Sequence, residues 1–211
     1  MKTKSKALIL TLCAVLLVAA SVLGTMAYLT DNKTVTNTFT VGQVKIKLDE
    51  AKVDEAGNAV GTDRVQSNSY KLLPGHTYTK DPMVTVLKGS EASYIKMTVT
   101  FSKADELDAI FAPNGADMTK IFNGYDPANW IYKGNTEDAT ANTRTYEFWY
   151  KEAVSAPTAD VALDALFDSI TVPGTITNEQ LATIKGMTIT VNAYAIQADG
   201  FADADEAFDA K

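Results

Sequence analysis

The sequence predicts a mainly β protein, an antiparallel jelly-roll-like β-sandwich with a few short peripheral helices. Three observations carry this expectation. Runs of strict apolar/polar alternation recur along the chain, and alternation marks a strand because successive side chains leave it on opposite faces. Threonine, whose β-branch suits a pleated, half-exposed surface, supplies 23 of the residues after position 27. Turn signals rich in Gly, Pro and Asn separate the runs.

The first segment reads as an address rather than as part of the sandwich. Residues 1–27 carry Lys2, Lys4 and Lys6 and no acidic residue, then an apolar run from Ala7 to Val22 and the sequence Leu23-Gly24-Thr25-Met26-Ala27. A basic start, an apolar middle and small residues before a cut are the layout of a secretory signal. Thr25 and Ala27 occupy the two positions a signal peptidase reads, so cleavage is placed after Ala27, with Tyr28 opening the mature chain. The rival reading is an uncleaved anchor, which needs about 20 apolar residues. Cleavage takes 27 of the 211 residues, leaving 184, and moves the formal net charge from -7 to -10. It also removes Cys13, the single Cys. A secreted, thiol-free chain must draw its stability from core burial, which a single domain over 28–211 can supply. Such an acidic surface excludes nucleic acid as a partner. Membrane contact is confined to the signal segment before cleavage.

The strands follow in order. Thr34, Thr36, Thr38 and Thr40 alternate with Val35, Asn37, Phe39 and Val41. After Gly42-Gln43 the parity shifts, and Val44, Ile46 and Leu48 alternate with Lys45, Lys47 and Asp49. Residues 54–63 read as a hairpin or long loop. Met83–Leu87 and Trp130–Tyr132 are short strands. Ile95, Met97, Val99 and Phe101 oppose Tyr94, Lys96, Thr98 and Thr100; Tyr146, Phe148 and Tyr150 oppose Thr145, Glu147 and Trp149. Ile189, Val191, Ala193 and Ala195 oppose Thr188, Thr190, Asn192 and Tyr194. Three helices are expected: one capped by Ser102 with Asp105, one opened by Thr177 with Gln180, and one over residues 160–167. All three fall in 102–185, which reads as a loop- and helix-rich insertion.

Little catalytic chemistry is legible. His76, the only His, lies in the turn-like Leu72-Leu73-Pro74-Gly75-His76, and no two-His zinc motif exists. No Ser stands in a Gly-x-Ser-x-Gly elbow. Asp199, Asp203, Asp205, Glu206 and Asp209 have the oxygen chemistry for calcium but not the loop spacing, and a solvated terminal helix face explains them as well. Tyr125, Trp130, Tyr132, Trp149 and Tyr150 form either a sugar-stacking platform or core. The expectation is no enzyme, with no catalytic, cofactor-binding or metal residues. The informative segment is 28–41, a full strand close to the predicted cut. Such a strand either pairs within its own sheet or leaves to complete the sheet of a neighbouring copy.

Three regions of the chain carry a resemblance to known proteins. Gly24-Thr25-Met26-Ala27-Tyr28-Leu29-Thr30-Asp31, after a Lys-rich start, is similar to the signal junctions handled by the SipW-type signal peptidase of Gram-positive bacteria. Leu73-Pro74-Gly75-His76-Thr77-Tyr78-Thr79-Lys80-Asp81, leading to Ser93-Tyr94-Ile95-Lys96-Met97, resembles the TasA/camelysin family, as does the ending Ala193-Tyr194-Ala195-Ile196-Gln197-Ala198-Asp199-Gly200-Phe201. The resemblance implies a jelly roll, export by a SipW-type peptidase, and polymerisation into biofilm-matrix fibres by donor-strand exchange, with accessory matrix proteins as further partners. The expected function is therefore a secreted or cell-surface fibre subunit that self-assembles through Thr34–Val41. The alternatives are a non-catalytic adhesin or glycan-binding module and, with less support, a camelysin-like metallopeptidase using His76.

Overall fold

The computed structural model describes residues 3–28, 42–111 and 118–209. Contacts divide the chain into two units, residues 1–41 and 42–211. The first contains helix α1 (Thr3–Tyr28), whose side chains from Lys6 to Val18 are exposed. Its backbone is helical through Thr25, Ala27 and Tyr28, the positions of the predicted signal cut. Among the described residues no helix is long and apolar enough to cross a membrane. The predicted strand Thr34–Val41 lies outside the described residues.

The second unit is a sandwich of antiparallel sheets. Its elements in order are β1 (Ile46–Val53), β2 (Ala59–Val65), β3 (Thr77–Thr79), β4 (Met83–Val86), β5 (Ser90–Ser102), α2 (Ala104–Phe111), a 3-10 turn at Met118–Lys120, β6 (Trp130–Asp138), β7 (Thr143–Tyr150), β8 (Val154–Ala156), β9 (Val161–Ala162), β10 (Ser169–Thr171), α3 (Asn178–Thr183), β11 (Ile189–Gln197) and α4 (Ala204–Asp209). One sheet has the order β2-β1-β4-β9; the larger runs β11-β5-β7-β6 with β8 also on β5; β3 and β10 form a separate pair.

The alternation read from sequence is the register of the larger sheet. Ile95, Met97, Val99 and Phe101 on β5 are fully buried, as are Tyr146 and Phe148 on β7. Their strands pair directly, Met97 opposite Phe148 and Val99 opposite Tyr146. The smaller sheet contributes Val84 and Val86, also at zero exposure. Phe122 fills the space between, edge-on to Tyr146 at 5.3 Å and to Phe148 at 5.8 Å, and tilted on Phe167 at 4.6 Å. Edge-to-face packing suits ring quadrupoles and adds to simple burial.

Residues 102–185 are not an insertion. They supply β6 to β10, including β7, which pairs with β5 over seven positions from Lys96 to Ser102. The predicted helix over 160–167 is not formed either. Leu163 N–H donates to Val84 O and Leu166 N–H to Pro82 O, so its backbone pairs with β4 and cannot close helical turns. Leu163, Leu166 and Phe167 are nonetheless buried, the apolar content that suggested a helix. α2 is present, but Ser102 does not cap it: that hydroxyl accepts from Thr188 N–H. Asn142, in the β6–β7 turn, caps instead through Oδ1 on Asp105 N–H. The hairpin after β1 and the Thr177–Gln180 capping box form as expected.

Arg144 ties α2 to the sheet beneath it. Its guanidinium reaches Asp108 at 2.6 Å, Glu137 at 2.7 Å and Asn135 at 2.9 Å. Burial pushes the Asp108 carboxyl up against the pull of Arg144, and Glu137 and Asp105 push the same way. Because Phe148 sits where rings from three segments meet, Phe148→Ala is expected to cost about 3–5 kcal/mol. Urea unfolding followed by tryptophan fluorescence should show this as a lower midpoint with an unchanged slope.

Candidate functional site

A groove of about 1330 Å³ lies between the two sheets of the second unit. One bank is β1, with Ile46 and Leu48; the other is β11, with Ile189 and Val191. All four are half-buried and pack against the core. Strand pairing explains why the groove stays open. Ile46–Asp49 pairs with β4 on one side, while β2 meets β1 only from Glu50 onward. β11 is the edge of its sheet, paired to β5 along its whole length and to no other strand among the described residues. Two backbone edges therefore border one apolar trough, and an unpaired edge is a template for another strand.

The groove is also lined by residues 66–70 and by residues from α3 to Met187. α3 has only six residues and no buried ones of its own. It is held by its capping box, by Ile184 at 1% exposure, and by Lys103 Nζ, which donates to Thr183 O and Lys185 O at 2.6 and 2.9 Å.

Charges are concentrated where β1, β2 and β4 converge. Arg64 on β2 donates to Asp49 at 2.5 Å and to Asp81 at 2.8 Å, and reaches the main-chain oxygens of both residues. Lys47 Nζ lies 2.6 Å from Asp49 Oδ2, close enough for attraction though not aligned as a hydrogen bond. Burial pushes the Asp49 carboxyl up, but the contacts with Lys47 and Arg64 outweigh it and hold the group below its ordinary value. On the groove side Glu50 is buried and takes Lys80 Nζ on Oε2 at 2.6 Å and Asn68 Nδ2 on Oε1 at 3.0 Å. Tyr70 stands beside them, its hydroxyl pushed up first by burial and then by the charge of Glu50.

The other candidates read from the sequence lie elsewhere. His76 is half-buried, bonded through Nε2 to Ala56 O and edge-on to Tyr78. Tyr78 in turn covers Gly57, where φ is +82° and a side chain would collide with the ring. The five aromatics do not make an exposed platform. Trp130 is fully buried with Nε1 on Asp164 O, and Tyr125, Tyr132 and Tyr150 pack on the same core. Trp149, at 4% exposure, faces the opposite side of the sheet, under Phe208 and Lys133. The acidic C-terminal residues serve α4: Asp203 Oδ1 accepts from Glu206 N–H, Glu206 from Ala202 N–H, and Asp205 pairs with Lys133. Among the described residues no three His, Cys, Asp or Glu side chains converge as a metal site would require. The groove and the Glu50–Lys80–Asn68 cluster escaped the sequence reading, because their members belong to different strands and loops.

Comparison with protein-family models, with curated proteins and with solved structures finds no match.

Arg64 is the shared partner of two carboxylates, so Arg64→Ala is expected to destabilise by about 2 kcal/mol, discounted because the guanidinium is partly exposed. Asp49→Asn in the same background should recover part of that loss, which a double-mutant cycle in urea would measure. The pH dependence has a definite sign. A depressed carboxylate stabilises fully above its unfolded value, 3.8 for Asp49, and that contribution is lost as pH falls through the lower folded-state value. Acid titration of stability should show this loss in the wild type and a smaller one in Asp49→Asn.

Proposed function

We propose that the chain is a secreted structural subunit that assembles into extracellular fibres, each copy donating the strand Thr34–Val41 to the groove of the next. The observation that supports this reading best is the trough of about 1330 Å³ bordered by β11, an edge strand, and by the start of β1, which β2 does not cover. Its volume exceeds that of an ordinary small-molecule pocket, about 300–1,000 Å³, and its place between two sheets suits an extended peptide. A donated strand gains main-chain hydrogen bonds at the edge and buries alternate side chains below. Thr34–Val41 has the matching pattern, with Val35, Phe39 and Val41 on one face and threonines on the other.

Upstream of β1, Lys45 O accepts from Leu87 N–H and Gln43 O from Glu91 N–H, so residues 43–45 run along 87–91. Head-to-tail repetition of strand donation from copy to copy gives an open filament. Export by a SipW-type peptidase, a place in a biofilm matrix and membership of the TasA/camelysin family belong to the same reading and rest on the sequence resemblance.

The protein beginning at Tyr28 should form filaments visible by electron microscopy, whereas the same protein lacking residues 28–41 should remain monomeric in size-exclusion chromatography. Val191→Lys, which places a charge on the bank of the groove, should lower filament yield at least tenfold without unfolding the sandwich. Filaments that persist without residues 28–41 would refute the proposal.

A further inference from the structure

The Glu50–Lys80–Asn68 cluster is an unusual thing to find beside an apolar groove. Glu50 and Lys80 have side-chain exposures of 10% and 7%, and their contact is 2.6 Å. Lys80 also lines a small cavity whose other walls include Tyr70, Tyr78, Phe101, Val172 and Ile189. The same carboxylate holds both other groups, Lys80 Nζ on Oε2 and Asn68 Nδ2 on Oε1. A lysine amine and a carboxamide are thereby placed side by side on one buried acid. The amide is fixed further: Asn68 Nδ2 also donates to Ala51 O at 2.9 Å, and Oδ1 accepts from Val53 N–H at 3.1 Å.

We propose that this cluster forms an intramolecular isopeptide bond between Lys80 and Asn68, with Glu50 as its catalytic residue. An amine nucleophile is activated by desolvation in an apolar pocket and by an adjacent base. Glu50 Oε2 takes a proton from the Lys80 ammonium, and the free amine attacks Asn68 Cγ, forming the new C–N bond. Negative charge develops on Oδ1, where the Val53 N–H already points as a fixed donor. The bond from Cγ to Nδ2 then breaks, and Nδ2 leaves as ammonia after receiving a proton through Glu50, its partner in the resting state. In sum, one alkylammonium and one carboxamide give one secondary amide and one ammonium ion, with no oxidant and no cofactor. Each of the three residues has a distinct role: Lys80 attacks, Asn68 is attacked, and Glu50 moves the protons.

The bond has a structural use in this fold. Cys13, the only cysteine, lies on α1, so residues 42–211 have no disulfide available. A link from Asn68 to Lys80 closes the β2–β3 connection onto the strand corner before β4. It also fixes residues 66–70, one wall of the groove, by a covalent bond. The inference stands on the cluster alone and is independent of fibre assembly.

Intact-mass measurement of the purified protein is the test, because the bond removes one ammonia. Trypsin should leave Lys80 uncut and join the peptide Val65–Lys71 to Leu72–Lys88. Lys80→Arg, Asn68→Ala and Glu50→Gln should each retain the full mass, with complete loss of the joined peptide. A wild-type chain of full mass that is cleaved after Lys80, even after prolonged incubation of the folded protein, overturns the proposal and leaves a buried ion pair whose asparagine bridges the irregularity in β1. Loss of water instead of ammonia would place the bond on Glu50 and overturn it equally. A cross-link persisting in Glu50→Gln refutes the catalytic assignment.

Discussion

The sandwich depends on β5. Its thirteen residues pair with β11 along one edge and with β7 and β8 along the other, while its inward side chains from Ile95 to Phe101 are fully removed from water. Backbone pairing and burial reinforce each other here. A register slip of one residue would turn Ile95, Met97, Val99 and Phe101 outward and bring Lys96 and three polar or aromatic neighbours into the core. The groove follows from the same strand, since β11, paired to β5, has no further partner on its outer side among the described residues.

The smaller sheet is held differently. Its apolar contribution is modest, chiefly Val84 and Val86 against the core, and much of its corner is ionic. Arg64 gathers Asp49 and Asp81, and Glu50 gathers Lys80 and Asn68. Buried charge is costly to desolvate and is tolerated only where geometry satisfies the remaining hydrogen-bonding atoms. These two neighbouring clusters fix how β1 meets β2 and where residues 66–70 stand, in the wall of the trough between the sheets. Stability of this corner, acid sensitivity and the shape of the groove are thus set by the same few side chains.

Several elements were legible because they obey local rules. The alternation in β5, β7 and β11, the hairpin after β1, and the Thr177–Gln180 box each follow from residues close together in sequence. Where prediction failed, a distant partner had taken the local group. Ser102 looked like a helix cap, but Thr188 claims its hydroxyl and Asn142 caps α2 from another turn. Residues 160–167 carried helical apolar spacing, yet the open edge of β4 claimed their N–H groups. The aromatic set looked like a platform, but ring packing between sheets stabilises more than exposure to solvent, so four of the five joined the core.

The sequence by itself determined the class of the protein: a mainly β, acidic chain whose strands alternate in register with the sheet they form. It did so because strand periodicity and turn chemistry act over a few residues. Only the tertiary structure decided where chemistry and docking are possible. Asn68 and Lys80 stand 18 and 30 positions from Glu50 and match no motif, and the strands β1 and β11 that border the groove are separated by most of the chain. Convergence of that kind depends on how sheets stack and which strand is left unpaired, properties that no short window of residues contains.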